Sequence, residues 1–190
     1  MSEPLPPGAP EGDLPTPRPM SPAAAGLIGK EVSYSTPDVT MKGYYVYNDS
    51  IQGPRPAVLL VHEWWGLTDN IRQRADMLAN LGYAALAVDM YGDGKRAEHP
   101  DDAAKFAGEV SKNLPVMTQR FQAALSLLKK SRFVDTTKIA AIGYCFGGSV
   151  VLSMAREGVD LKGVATFHGS IATEHPAEKG VLKAKVLVCN

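Results

Sequence analysis

The string GYCFGG, residues 143–148, sets a cysteine among glycines where the apolar run KIAAI gives way to VVLSMA. Gly143, Cys145 and Gly147 reproduce the G-x-nucleophile-x-G spacing of a turn that bends a strand sharply into a helix. Such a turn holds its nucleophile in a strained conformation, and Cβ atoms on the neighbours would collide where helix and strand come close, so glycine is needed there. The turn also sets Cys145 at a helix start, where backbone N–H groups and the dipole favour a thiolate and, later, an oxyanion. Two other readings of the string explain less. A glycine-rich strand–helix turn binds phosphate, but neither the GxxxxGK[ST] lysine nor the full GxGxxG spacing is present. A free cysteine is often simply buried, but burial gives no reason for glycines at both offsets.

A second candidate is VHEWWGL, residues 61–67, which closes another apolar run. Glu63 stands where the first strand–helix loop opens, and in strand–elbow–helix enzymes that loop supplies the second oxyanion N–H. A glutamate in a loop is most often solvated. Beside Trp64 and Trp65 it is expected to be partly desolvated, which suits proton transfer. His62 and His99 are read as non-catalytic, His99 as solvated in GKRAEHPDD, and Cys189 as a core residue.

The elements that position these residues alternate. EVSYS (31–35) and GYYVY (43–47) flank the turn-prone TPD and predict an antiparallel pair. PAVLLVHE (56–63) and YAALAVDMYG (83–92) are continuous apolar runs, the pattern of strands buried on both faces. DNIRQRADMLANLG (69–82) spaces Ile71, Ala75, Leu78 and Leu81 for one helix face and ends at Gly82. Residues 101–110, 115–131 and 146–157 read as further helices, and residues 138–143, 161–169 and 184–189 as strands. Strands alternating with helices predict βαβ units and a mostly parallel sheet, with ligands beyond the carboxyl ends of the strands.

The bulk composition narrows the class. The chain has 190 residues, enough for one sizeable core, and 20 basic residues balance 20 acidic ones. That balance offers no basic field for nucleic acid or an anionic membrane, and no apolar run reaches membrane-spanning length. Two cysteines make no disulfide framework, so a reducing cytoplasm is the expected setting. Residues 1–26 are proline-rich and poor in large apolar side chains, and read as a flexible arm ahead of a domain over residues 27–190. That arm lacks the charged and apolar regions of a secretory signal.

Taken together, G-Y-C-F-G-G, H-E-x-x-G-L and LGYAALAVDMYGDG resemble the dienelactone hydrolase family, a cysteine branch of the α/β-hydrolases, over about residues 27–190. The resemblance implies a three-layer α/β-hydrolase fold with helices on both faces of the sheet. It implies a hydrolase of small esters or lactones, of the carboxymethylenebutenolidase type, working through an acyl-thioester. Cys145 matches the nucleophile and Glu63 a glutamate that pairs with the resting thiol and helps deprotonate it. The backbone N–H groups of Phe146 and Trp64 match the oxyanion hole. Trp65, Tyr91, Lys95, Arg96 and His168 are expected to line the substrate. No metal or organic cofactor is implied, and the full-length protein is expected to be a monomer.

The chain departs from the family pattern in two places. The fold orders its triad as nucleophile, acid, histidine. His168 and His175 both precede the strand AKVLVC, after which the family places its aspartate. The triad aspartate and histidine are therefore expected past Asn190, the last strand is expected to present unpaired N–H and C=O groups or an apolar flank, and the 190 residues alone are expected to be poorly soluble and inactive. The substrate-binding arginine of dienelactone-cleaving members is matched by Asp93, with Lys95 and Arg96 nearby, which leaves the substrate open. Two other classes remain: a catalytically idle binding protein on this fold, and a redox-sensing thiol protein with Cys189 as the resolving cysteine.

Overall fold

The structure is a computed structural model that describes residues 26–190. The proline-rich arm lies, up to residue 25, outside the described residues. The strands are β1 (Leu27–Ser35), β2 (Thr40–Asn48), β3 (Arg55–Val61), β4 (Ala84–Val88), β5 (Val134–Tyr144), β6 (Gly163–Phe167) and β7 (Lys185–Cys189). Among the described residues they form one sheet in the order β1-β2-β4-β3-β5-β6-β7. β1 and β2 pair antiparallel, as expected, and β2 runs antiparallel to β4. From β4 onward all neighbours are parallel, so their carboxyl ends share one edge of the sheet.

Four helices connect these strands: α1 (Asp69–Asn80), α2 (Pro100–Ser111), α3 (Leu114–Lys129) and α4 (Phe146–Arg156). The continuous apolar runs are explained by two cores, one on each face of the sheet. Val58 and Leu60 of β3, with Ala85 and Ala87 of β4, meet Ile71, Ala75 and Ala79 of α1. Leu59, Val61, Leu86 and Val88 point the other way, toward Phe121 of α3 and Val150 and Met154 of α4. Successive side chains alternate between faces, so a strand covered on both sides must be apolar throughout. This is the expected α/β-hydrolase arrangement of a mostly parallel sheet between helical layers.

The inner face of α1 differs from the one read from its spacing. Ile71, Ala75 and Ala79 are the buried positions, each four residues from the next. Leu81 is the C-cap rather than part of the helix and is 73% exposed. It shares a shallow apolar groove with Leu78, Tyr83, Val186 and Leu187 on the α1 side of the sheet. Among the described residues β7 is the edge strand, and Val186, Leu187 and Val188 are all exposed, the apolar flank that is one of the two features expected of it.

The loop after β4 is fixed by one buried carboxylate. Asp89 Oδ1 accepts from the N–H groups of Tyr91 and Gly92, both at 2.9 Å. Its Oδ2 accepts from Lys42 N at 3.0 Å and Gly94 N at 2.9 Å. Four donors offset the cost of holding a carboxylate with no solvent exposure. Arg120 of α3 adds bonds to the Met90 and Tyr91 carbonyls at 2.9 and 3.0 Å.

Two substitutions probe this framework. Asp89→Asn turns an amide donor against backbone donors, and should lower stability by at least about 2 kcal/mol in urea denaturation. A Cβ built on Gly147 would come within 3.0 Å of the Val61 and His62 carbonyl oxygens. Gly147→Ala should therefore push α4 off β3 and cost about 1–3 kcal/mol by the same measurement; wild-type stability would show that this contact can relax freely.

Candidate active site

Cys145 joins β5 to α4 with φ 53° and ψ −116°. It is the sharp, strained elbow expected of the GYCFGG string. Its N–H donates to Phe167 O of β6 at 2.9 Å, and its carbonyl accepts the Ser149 N–H of α4 at 3.2 Å. The glycines answer specific contacts. A Cβ on Gly143 would meet the Gly147 carbonyl, and one on Gly148 would meet Thr166 Oγ1 and Gly169. Among the described residues three non-glycines have positive φ: Asp93 at 57°, Cys145 at 53° and His168 at 43°. They follow β4, β5 and β6, so backbone strain gathers at the carboxyl edge of the sheet.

Glu63 reaches the same edge from the neighbouring strand. Val61 and Gly143 are register partners, and Glu63 and Cys145 each stand two residues beyond. Both side chains are half-buried. The Glu63 carboxylate accepts from Asn70 Nδ2 at 3.0 Å, at the start of α1. No hydrogen bond joins it to the Cys145 sulfur among the described residues.

The turn between β3 and α1 has its carbonyls occupied. Glu63 O takes Gly66 N–H at 3.3 Å and lies 2.6 Å from His62 Nδ1. Trp64 O accepts the Tyr91 hydroxyl at 2.8 Å, and Trp65 O accepts Ala97 N–H at 3.0 Å. The N–H groups of Trp64 and Phe146 have no acceptor among the described residues. An edge of the sheet that presents a sulfur beside free N–H donors is suited to bind and stabilise an anionic oxygen.

Tyr91 packs against His62 at 4.7 Å and Phe146 at 5.4 Å between ring centroids. Burial pushes its phenol well above the ordinary range, and the neighbouring Cys145 and Asp89 add to that, so it stays a protonated donor. Trp65 is half-buried and meets Trp64 edge-on at 5.2 Å. The backbone of Arg96 pairs with Gly66, bringing the β4 loop against the β3 turn. The side chains of Lys95 and Arg96 are exposed, and Arg96 forms an ion pair with Asp69 at 3.8 Å. His168 is exposed at the end of β6, its N–H bonded to Cys189 O at 2.7 Å.

Two residues of this edge, passed over in the sequence reading, stand out in the structure. The signal that could have found Asp89 is a carboxylate ending the apolar run AALAVD just ahead of two glycines. His62, beside Glu63, is fully buried, and its Nε2 accepts the Met90 N–H at 3.2 Å. Burial lowers the His62 pKa below 6.5, against weaker opposition from the Glu63 carbonyl and the Asp89 and Glu63 carboxylates. The folded chain therefore resists protonation that the unfolded chain accepts. This contribution to stability is full above about pH 6.5 and is lost as pH falls through the lower folded value. The urea midpoint should drop between pH 7.5 and about pH 5.5 in wild type, and His62→Asn should flatten that drop; parallel profiles would remove His62 as its source.

The geometry agrees with comparisons to known proteins. A family model described as the Dienelactone hydrolase family matches residues 41–189. A protein of Aquifex aeolicus (strain VF5) that bears the name "Putative carboxymethylenebutenolidase" is 35% identical over 135 residues, 67% of this chain and 55% of that protein. The chain thus spans about half the length of the curated relatives it matches. The solved structure of m3DLH superposes with a TM-score of 0.83 at 33% identity, covering 87% of this chain and 69% of that one. The dienelactone hydrolase-like promiscuous phosphotriesterase P91 from metagenomic libraries gives 0.82 at 35% identity with the same coverage. The match runs from β2 to β7, across both the Glu63 turn and the Cys145 elbow, and the chain belongs to the dienelactone hydrolase family.

Proposed function

We propose that the whole protein hydrolyses small carboxylic esters or lactones, with Cys145 as nucleophile. The thiolate attacks the carbonyl carbon, and the oxygen that gains the electron pair sits between the Phe146 and Trp64 N–H groups. Collapse of this intermediate breaks the C–O bond; the alkoxide leaves with the proton that Glu63 took from the thiol, and the acyl group stays on the sulfur as a thioester. Water then attacks the thioester, releasing the acid and restoring the thiol. Glu63, level with Cys145 on the adjacent strand, takes the thiol proton when substrate displaces its bond to Asn70. Trp65, Tyr91, Lys95, Arg96 and His168 border the substrate. The reading carries with it a cytoplasmic monomer acting on a free small molecule.

The observation that carries this reading is the positive φ of Cys145 at the head of α4, a strain that a merely buried cysteine has no use for. Among the described residues, the redox alternative has Cys189 as its one candidate partner, and Cys189 lies out of reach. Cys189 pairs in register with Phe167, so a whole strand separates it from the elbow. Two strand spacings are about 10 Å, beyond the span of a disulfide.

The test is turnover of a small aryl ester by the full-length protein. Cys145→Ala should lose activity by about a thousandfold or more, and Glu63→Gln by about a hundredfold. Mass spectrometry of wild type quenched during turnover should find the acyl mass on the Cys145 peptide. Undiminished activity of Cys145→Ala would sink the proposal.

A further inference from the structure

His62 has two polar contacts, and together they assign its proton. The Met90 N–H points at Nε2, so Nε2 is the acceptor and the proton sits on Nδ1, from which it is donated to Glu63 O. The peptide joining Glu63 to Trp64 is planar and trans, so its C=O and N–H point in opposite directions. Drawing the Glu63 carbonyl toward the buried ring turns the Trp64 N–H away from it. The ring is itself fixed, with Tyr91 edge-on at 4.7 Å and Phe146 stacked at 5.6 Å. Phe146 carries the other free N–H, so one imidazole touches both halves of the donor pair.

We propose that His62 is a positioning residue that aims the Trp64 N–H at the developing oxyanion, with the Met90 amide selecting the tautomer that can do so. This rests on the esterase reading above. A neutral, buried ring suits this role, because a protonated Nε2 would face the Met90 N–H as a second donor and the β4 loop would have to move. The ring is fully buried, so its effect passes through the Glu63–Trp64 peptide.

The test uses full-length protein labelled with 15N-histidine or 15N-tryptophan. His62 should show a protonated Nδ1 and an unprotonated Nε2 at neutral pH; the opposite tautomer overturns the proposal. His62→Asn places an amide donor near the position of Nδ1, and should keep the Trp64 amide resonance and hold kcat within about fivefold. His62→Leu has no donor. It should shift that resonance and lower kcat by about 10²–10³-fold, the scale of one lost oxyanion donor, with KM within about twofold. Alkylation of Cys145 by iodoacetamide forms no oxyanion, and should stay within about twofold in both variants. An unchanged kcat and Trp64 resonance in His62→Leu would overturn the assignment. Equal losses in both variants, with alkylation slowed as well, would reduce His62 to a packing residue and overturn it too. If wild type turns over no ester while the tautomer and the Trp64 resonance behave as expected, the esterase reading fails and the aiming of the N–H stands.

Discussion

The close approach of α4 to the carboxyl ends of β3 and β5 is the constraint from which the site follows. Gly147 lies against the carbonyls of Val61 and His62, and Gly143 lies beneath Gly147, leaving no room for a side chain at either position. A helix seated this near the strand that feeds it can be reached only through a sharp turn, and Cys145 makes it at φ 53°. Holding a non-glycine residue there costs about 1–3 kcal/mol. The cost is offset by the burial of Val150, Val151, Met154 and Ala155 of α4 against the sheet. The same seating brings the first amide of α4 to the edge where Trp64 N–H also opens.

Around the elbow, several buried polar groups are held by partners from distant segments. Asp89 collects four backbone donors, and Tyr34 both donates to and accepts from the main chain of Asp89, at 3.0 and 2.8 Å. His62 uses both nitrogens, and Arg120 spans two carbonyls. Each of these bonds ties a loop carbonyl or amide to the rigid layers, and the loops after β3 and β4 are joined through Ala97 and Arg96. Among the described residues, the Trp64 and Phe146 amides at this edge have no acceptor. In the proposed mechanism, donors fixed in this way during folding leave little to reorganise when the oxyanion forms.

Much of this was legible in the residues. Strands covered on both faces need unbroken apolar runs, so β3 and β4 declared themselves, and the glycines flanking Cys145 are a local steric requirement that only the elbow explains. The neighbourhood of Glu63 and Cys145 followed from parallel strands whose ends must share an edge. The inner face of α1 was less legible, because i+3 and i+4 spacings both lie near one stripe and only packing decided for Ala79 over Leu81.

The sequence by itself determined the layered architecture and the elbow, and singled out the pair of residues proposed to do chemistry, since each is written in short-range pattern and steric need. The tertiary structure alone decided how those residues and their neighbours are held. The Met90 amide that sets the His62 tautomer is 28 residues away, the Lys42 amide on Asp89 47 residues away, and the Arg120 bond to the Met90 carbonyl spans 30. The Glu63 bond to Asn70 depends on where α1 begins relative to β3. Hydrogen bonds between distant segments depend on the register and crossing of whole elements, to which no spacing along the chain gives access.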